Sequence, residues 1–561
     1  MRRLLSRDPV AVALGVALLV MLGVTAAGAR PANHAPGEGS ASLSGAVPSS
    51  TASATAAAQD GDDGASEEPG QADATDDGTG VDQPLAQGVD VPAATEWTDP
   101  SQELPGIAEQ PNIILITTDD MTVSDLAYMP KLKKVLTEQG VDFTRMLSPH
   151  PLCCPARGAI LTGQYAQNNG VKSNQDPFNY AALQKETALP VWLHEAGYRT
   201  AFTGKYLNGF GTKGPRQPGW DYWDPSMINP YSYIGYEMYN DGDRQWYKKL
   251  NNVDYINMRV RKLVDEWAPS DQPFFIWASH VAPHGRLDKV KDIPSTAKAL
   301  PPNRFANDFA NEQSPSLSDP GYLDTGAGKN SLVQRKKQPT REKVNVVFRS
   351  RIRTLQAVDQ GVSQLVGQLR RLGELDNTYL MFTSDNGFLV GEHHLITKNV
   401  PYRQSIRVPL IMRGPGLPAG ETRAQRALMI DLAPTIADLA DAEPLVTVDG
   451  VSLLPTAVAD APLRETVLIQ AGPQTEEDLP YGWWWRGVTT GRYTYARFFA
   501  DGLEELYDRK NDPYELDNVS DDPRYADVLA ELRRRTESLV TCSGPTECSQ
   551  EFGSMPAPAS G

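Results

Sequence analysis

The chain predicts an α/β fold, a large mixed and mostly parallel sheet flanked by helices on both faces, followed by a smaller C-terminal α+β subdomain. Three observations carry this. From Pro111 onward, short apolar runs of strand length alternate with stretches of helical period. The first run, 112–118, is short, continuous and rich in β-branched residues, as a strand buried on both faces requires. Past residue 445 the apolar runs shorten and are punctuated by Gly and polar turns, the texture of antiparallel hairpins.

Each element follows from its pattern. Leu132, Val135 and Leu136 keep helical register until Gly140 stops it. Residues 189–196 predict a helix ahead of a strand at 200–203, and 274–278 predict another strand. Val344, Phe348, Ile352, Leu355, Val358, Val362, Leu365, Leu369 and Leu372 recur three or four apart, the apolar stripe of one long helix ending at Gly373. A strand at 379–383, a strand at 408–412 and a helix at 431–441 complete the alternation, which argues for parallel strands covered on both faces. Beyond it, 467–469, 487–490 and 493–495 predict hairpin strands and 524–540 a terminal helix.

Charge and composition divide the chain further. It has 561 residues, with 53 Lys plus Arg against 70 Asp plus Glu and a formal net charge of −17, which excludes a polybasic nucleic-acid-binding protein. Residues 30–108 hold most of the excess, fourteen acids against Arg30 alone, with Trp97 as their only aromatic. Too little apolar surface is present there to offset the ~1–2 kcal/mol per residue cost of ordering a backbone, so 30–108 is expected to be a disordered acidic linker. Ahead of it, Arg2, Arg3 and Arg7 precede an uncharged run from Val10 to Ala29 that closes on Ala27-Gly28-Ala29, a signal peptide over 1–29. The run is also long enough to cross a bilayer of ~30 Å, so an uncleaved signal anchor is the alternative and the one route to a membrane. Either way the body is expected to be secreted or at the cell surface. That body divides into a catalytic domain over 109–444, a C-terminal subdomain over 445–541 and a tail over 542–561. Cys542 and Cys548 enclose a turn-prone loop, and in an exported chain they predict a disulfide.

The chemistry gathers at predicted strand ends, where open α/β sheets bind ligands. Asp119-Asp120 follows the 112–118 run, and Ser384-Asp385-Asn386-Gly387 follows the 379–383 strand. Adjacent carboxylates repel unless a cation lies between them, and three carboxylates with one amide oxygen suit a hard divalent ion, Ca²⁺ ahead of Mg²⁺. Taken singly, each cluster also reads as a helix cap or an ordinary turn. The remaining two cysteines, Cys153 and Cys154, lie in Leu152-Cys153-Cys154-Pro155-Ala156-Arg157, with Thr162-Gly163 following.

This last stretch resembles the signature of the sulfatase family, matched at Cys153, Pro155, Arg157, Thr162 and Gly163, and the resemblance extends over about 111–530. It implies that Cys153 is oxidised by a formylglycine-generating enzyme before folding, and that the hydrated aldehyde is the nucleophile. Asp119, Asp120, Asp385 and Asn386 match the family's calcium ligands, with the modified Cys153 completing the shell. Gly204-Lys205-Tyr206 and Ala282-Pro283-His284 resemble the segments that bind the sulfate ester. Lys398, ahead of Arg407-Val408-Pro409-Leu410, resembles the lysine at the leaving-group oxygen. The family's closing strand and turn are matched by 505–508 and 512–515. Arg157 is expected to supply charge and to hold the nucleophile. One departure stands out, since many sulfatases carry a second histidine where this chain has Leu207, followed by Asn208. The Gly-Lys-Tyr-Leu-Asn run and the Cys-Cys-Pro doublet are more similar to N-acetylglucosamine-6-sulfatases and extracellular heparan sulfatases. The resemblance therefore implies a sulfated carbohydrate or small sulfate ester as substrate. A phosphonate or phosphate ester hydrolase of the same superfamily, and a non-catalytic sulfoglycan-binding protein, are the competing readings.

Other features are weighed more simply. Gly209-Phe210-Gly211-Thr212-Lys213-Gly214 matches a dinucleotide fingerprint, but Pro215 and Pro218 follow where a helix is needed, so it predicts a loop. The aromatic residues of 220–247 and Trp483-Trp484-Trp485 divide between core packing and sugar stacking. His194 is expected to be structural, and Gly391-Glu392-His393-His394 to be either pocket wall or surface loop.

Overall fold

The computed structural model describes residues 110–211, 215–228, 230–286 and 298–560. The signal segment, the acidic linker and residues 212–214 of the Gly-rich loop lie outside them. The strands, in chain order, are β1 (Asn112–Asp119), β2 (Val141–Phe143), β3 (Arg199–Gly204), β4 (Tyr222–Ile228), β5 (Tyr236–Met238), β6 (Gln245–Tyr247), β7 (Phe274–Pro283), β8 (Thr378–Ser384), β9 (Leu389–Val390), β10 (Ile396–Thr397), β11 (Leu410–Arg413), β12 (Glu421–Arg423), β13 (Val467–Ala471), β14 (Trp485–Thr489), β15 (Tyr493–Phe498) and β16 (Glu504–Asp508).

Ten of them form one sheet in the order β12-β2-β11-β8-β1-β7-β3-β4-β5-β6. Its centre, β8-β1-β7-β3-β4, is wholly parallel, and antiparallel pairings enter only through β11 and at the β5 and β6 edge. The alternation thus predicted the mixed, mostly parallel sheet correctly. β1 shows why its sequence has no polar phase. Ile113 and Leu115 pack into one apolar cluster with Ile160, Trp192, Leu432 and Ile436, while Ile114 and Ile116 face a second with Val260, Leu355 and Val358. Successive side chains point to opposite faces, and here both faces carry helices.

The longest helix, Arg341–Leu372, is capped by the Thr340 side chain, which accepts from the Lys343 amide (3.2 Å). It ends at Gly373 in the left-handed conformation (φ 81°), with Arg370 and Arg371 in the last turn. Its stripe is buried as the spacing predicts, except that Leu372 is exposed at the final turn. The outer strands β2, β4, β5, β6 and β12, of which only β6 and β12 are edges, have no clear apolar signal; they form because neighbouring strands offer unpaired backbone groups. β11 begins at Leu410, two residues later than its apolar run, after Pro409, which has no N–H for the ladder.

β13 to β16 make a separate antiparallel sheet, on which the helix Ala526–Leu539 packs. Its residues Leu468, Trp485 and Val488 join the same apolar cluster as Ile113 and Leu115, so the subdomain shares a core with one face of the large sheet. Cys542 and Cys548 are bridged, with Cα atoms 5.2 Å apart.

Candidate active site

The carboxyl ends of β1, β3, β7 and β8 converge on one point. Asp119 is the last residue of β1. Asp120 then takes a left-handed conformation (φ 70°), which Asp tolerates better than most residues. Across the parallel β1–β8 ladder, Asp385 follows β8, its amide donating to the Thr118 carbonyl (3.1 Å). Lys205 follows Gly204, whose own φ is 114° and where a Cβ would lie 1.9 Å from the Ser279 carbonyl oxygen. Only glycine permits that approach, which lets the Lys205 amide donate to the same carbonyl (2.9 Å). Cys153 opens the helix Cys153–Thr162, and Arg157, four residues on, lies one turn along the same face.

All nine residues singled out in the sequence meet here. Arg157 is fully engaged: Nε donates to Asp385 Oδ2 (3.0 Å), Nη1 to the Lys205 carbonyl (2.5 Å) and Ser279 Oγ (2.6 Å), and Nη2 to Asp119 Oδ2 (3.3 Å). The Lys205 ammonium pairs with Asp119 Oδ2. The Lys398 ammonium pairs with Asp120 Oδ1 and lies 2.7 Å from Cys153 Sγ. Cys153 Sγ is 3.6 Å from Asp119 Oδ1, and His284 Nε2 is 3.6 Å from Asp120 Oδ2. Asn386 Nδ2 donates to Asp120 Oδ1 (2.7 Å).

Charge dominates this site. Burial would raise the Asp119 carboxyl, but Lys205, His284, Lys398 and Arg157 outweigh it and hold the group well below the usual carboxylate range. Asp385 moves the other way: burial and the Asp119 charge push it up against the pull of Arg157. Burial, then Asp119, raises the Cys153 thiol, so the unmodified side chain stays protonated.

The donor set also fits a metal ion. One ligand atom each from Asp119, Asp120, Cys153 and His284 lie within 4.8 Å of one another. His284 Nδ1 is 2.6 Å from the Gly285 carbonyl, which can only accept, so Nδ1 carries a proton. In the neutral ring Nε2 then presents a lone pair toward the carboxylates, an arrangement that a cation between them relieves. Asn386 Oδ1 is buried with no hydrogen-bond partner, a further oxygen for the same purpose.

Residues 111–442, more than half of the chain, match the sulfatase family profile. The chain belongs to the sulfatase family. Residues 391–541 match a second profile, N-sulphoglucosamine sulphohydrolase, C-terminal. The N-acetylglucosamine-6-sulfatase of Capra hircus is 30% identical over 492 residues, covering 78% of this chain and 85% of the relative. A Caenorhabditis elegans homologue of extracellular sulfatase Sulf-1 is 34% identical over 392 residues, 65% of this chain; the match spans about half, 53%, of that relative. A solved structure described as being in complex with its substrate, D-glucosamine-2-N,6-O-disulfate, superposes with a TM-score of 0.66 at 24% identity, covering 76% of this chain and 97% of the other, and so shares the fold. This sulfatase is therefore a sulfuric ester hydrolase.

Within the sulfatase, residues that the sequence left open find plain places. Leu207 is buried in the apolar core. Trp220 and Trp223 pack among Phe202, Tyr206 and Phe275 at ring distances of 4.9 to 6.0 Å. Trp483 packs against the Arg486 guanidinium (4.0 Å) and Lys172 (4.8 Å). His393 is buried and bonded to Asp324 (2.6 Å), away from solvent. His194 is exposed on its helix, beside Asp221. Two groups at the site carried no sequence signal: Ser279, which binds Arg157, and Arg351, whose Nη2 donates to the Asp120 carbonyl and to Asp125 (2.7 Å). Isolated Ser and Arg residues declare no role until the fold assembles them, whereas Tyr231 belongs to the aromatic stretch of 220–247 that the sequence divides between core and sugar contact.

Proposed function

We propose that this sulfatase cleaves sulfate monoesters of a sulfated carbohydrate of the N-acetylglucosamine-6-sulfate type, with formylglycine at position 153 and a calcium ion as its equipment. The observation that carries the proposal is the meeting of Cys153 with two carboxylates and two ammonium groups at the sheet end. The name of the Capra hircus relative, an N-acetylglucosamine-6-sulfatase, supports the substrate class.

A sulfate monoester resists water because its oxygens shield the sulfur and a poor alkoxide must leave. Oxidised by a formylglycine-generating enzyme, position 153 supplies a hydrated aldehyde whose hydroxyl is the nucleophile. Asp119, Asp120, Asp385 and Asn386 would hold the ion, which supplies positive charge to the sulfuryl oxygens, with Mg²⁺ the second choice. Arg157, locked by four acceptors, keeps Asp119 and Asp385 in position. Lys205, Lys398 and His284 bind the sulfuryl group. Lys398, in contact with Cys153 Sγ, is the group placed to deliver a proton to the departing oxygen. The run at 1–29, a signal peptide or signal anchor, supports an enzyme that is secreted or at the cell surface; among the described residues no helix is long and apolar enough to cross a membrane.

Mass spectrometry of the tryptic peptide containing Cys153, from active protein produced in its own host, tests the nucleophile. An aldehyde or its hydrate is expected, and a free thiol in fully active enzyme rules the mechanism out. Chelation should abolish turnover of N-acetylglucosamine 6-sulfate, and Ca²⁺ should restore it.

A further inference from the structure

The core burial of Leu207 leaves open which group supplies polar contact to substrate on that side of the site. Tyr231, on the loop after β4, stands there. It is half-buried, with Lys205 Nζ 4.2 Å from its ring centroid and the His284 ring 4.5 Å away. Its hydroxyl oxygen accepts a hydrogen bond from Asn208 Nδ2 (2.7 Å). Asn208 is the residue directly after Leu207, and its backbone carbonyl accepts from the Tyr180 amide (3.1 Å) and lies 3.8 Å from Cys154 Sγ, beside the nucleophile.

Direction matters in this pair. An amide nitrogen can only donate, so the phenol oxygen is the acceptor, and among the described residues nothing takes the phenol's own proton. A phenol keeps its proton at neutral pH. The ring lies against Lys205 and His284, two of the groups proposed to bind the sulfuryl group, and the hydroxyl keeps one unspent donor.

We infer that Tyr231 is a substrate-contacting residue whose hydroxyl donates a hydrogen bond to an oxygen of the sulfate ester, with Asn208 as its positioning residue. This rests on the sulfatase reading above. The ring has a separate part, since it covers Lys205 and keeps water from the Lys205–Asp119 pair.

Comparison of Tyr231→Phe with Tyr231→Ala separates hydroxyl from ring. With 4-nitrophenyl sulfate and N-acetylglucosamine 6-sulfate as probes, Y231F should lower kcat on the order of 10²-fold, as loss of one transition-state donor does, with KM nearly unchanged and an unaltered melting temperature. Y231A should lose more. N208A should lose less than Y231F, and the double variant Y231F/N208A should be no worse than Y231F, since both act through one hydroxyl. Wild-type enzyme with verified formylglycine that turns over neither ester overturns the sulfatase reading itself. Active wild-type enzyme with Y231F at full kcat/KM overturns the Tyr231 assignment alone. Losses for Y231F and N208A that multiply overturn the positioning role of Asn208.

Discussion

Two regions of this sulfatase bury charge, and they do so in opposite ways. Beneath the C-terminal sheet, Lys329 meets the Tyr507 hydroxyl (3.0 Å), the Glu515 carbonyl and Asp324 (3.5 Å), with the Tyr402 and Tyr507 rings at 4.9 and 4.3 Å. Glu505 accepts from the Asn330 side chain (3.0 Å), Tyr402 (3.1 Å) and Tyr507 (2.8 Å). Asp324 is bonded to His393. This network ties the 320–335 loop, the loop carrying Lys398 and the C-terminal sheet together, and its charges are answered from within. At the end of the large sheet, by contrast, three carboxylates and three cations crowd around a protonated thiol, and the Asn386 oxygen is left over. A network whose charges are paired from within, with only His393 Nε2 left over among the described residues, stabilises one conformation. An assembly with unspent donors and acceptors at a strand end is arranged for something that arrives later.

The comparison can be broken at either end. On the proposed mechanism the largest effect belongs to Cys153→Ser, which keeps the shape of the side chain but removes the thiol that a cysteine-oxidising formylglycine-generating enzyme acts on: turnover should fall at least ~10³-fold while thermal melting stays within a few degrees. Substantial residual activity in C153S would remove the distinction between the two regions. Next, Lys398→Ala should lower kcat/KM by roughly 10²–10³-fold, with little loss of stability, measured by initial rates against several leaving groups. The loss should grow as the leaving alkoxide becomes more basic. Lys329→Met should do the reverse. It strands Asp324 and Glu505 in the interior and should cost about 3–5 kcal/mol in urea unfolding, whereas kcat of the folded fraction stays within a few-fold of wild type. A catalytic defect without a stability defect in K329M would show that the closed network serves chemistry after all.

The smallest effect concerns Glu392, at the edge of that network. Burial pushes its carboxyl up to about 7, against the hydrogen bond it accepts from the Val390 amide (2.6 Å). Its folded pKa lies above the unfolded value, so between about 4.5 and 7 the folded state binds more protons than the unfolded one. Stability from this group is therefore present at low pH and lost as pH rises through that window. Glu392→Gln should flatten the fall, and melting curves at pH 5 and pH 8 should show wild type losing more than E392Q across the interval.

Local pattern accounts for what was legible beforehand. The unbroken apolar run of β1 requires two covered faces, and the four-residue spacing of Cys153 and Arg157 puts both on one turn of helix. Asp119-Asp120 and Asp385-Asn386 end apolar runs, and a parallel sheet aligns such ends. These conclusions need only the periods of strand and helix, which the order of residues by itself determines. The pairing of the outer strands β4 to β6, the shared core of the C-terminal sheet, the engagement of Arg157 by Ser279 and the apposition of Tyr231 with Lys205 and Asn208 were settled by tertiary structure alone. Their partners lie tens to hundreds of residues apart, and a contact between distant segments leaves no periodic trace in either of them.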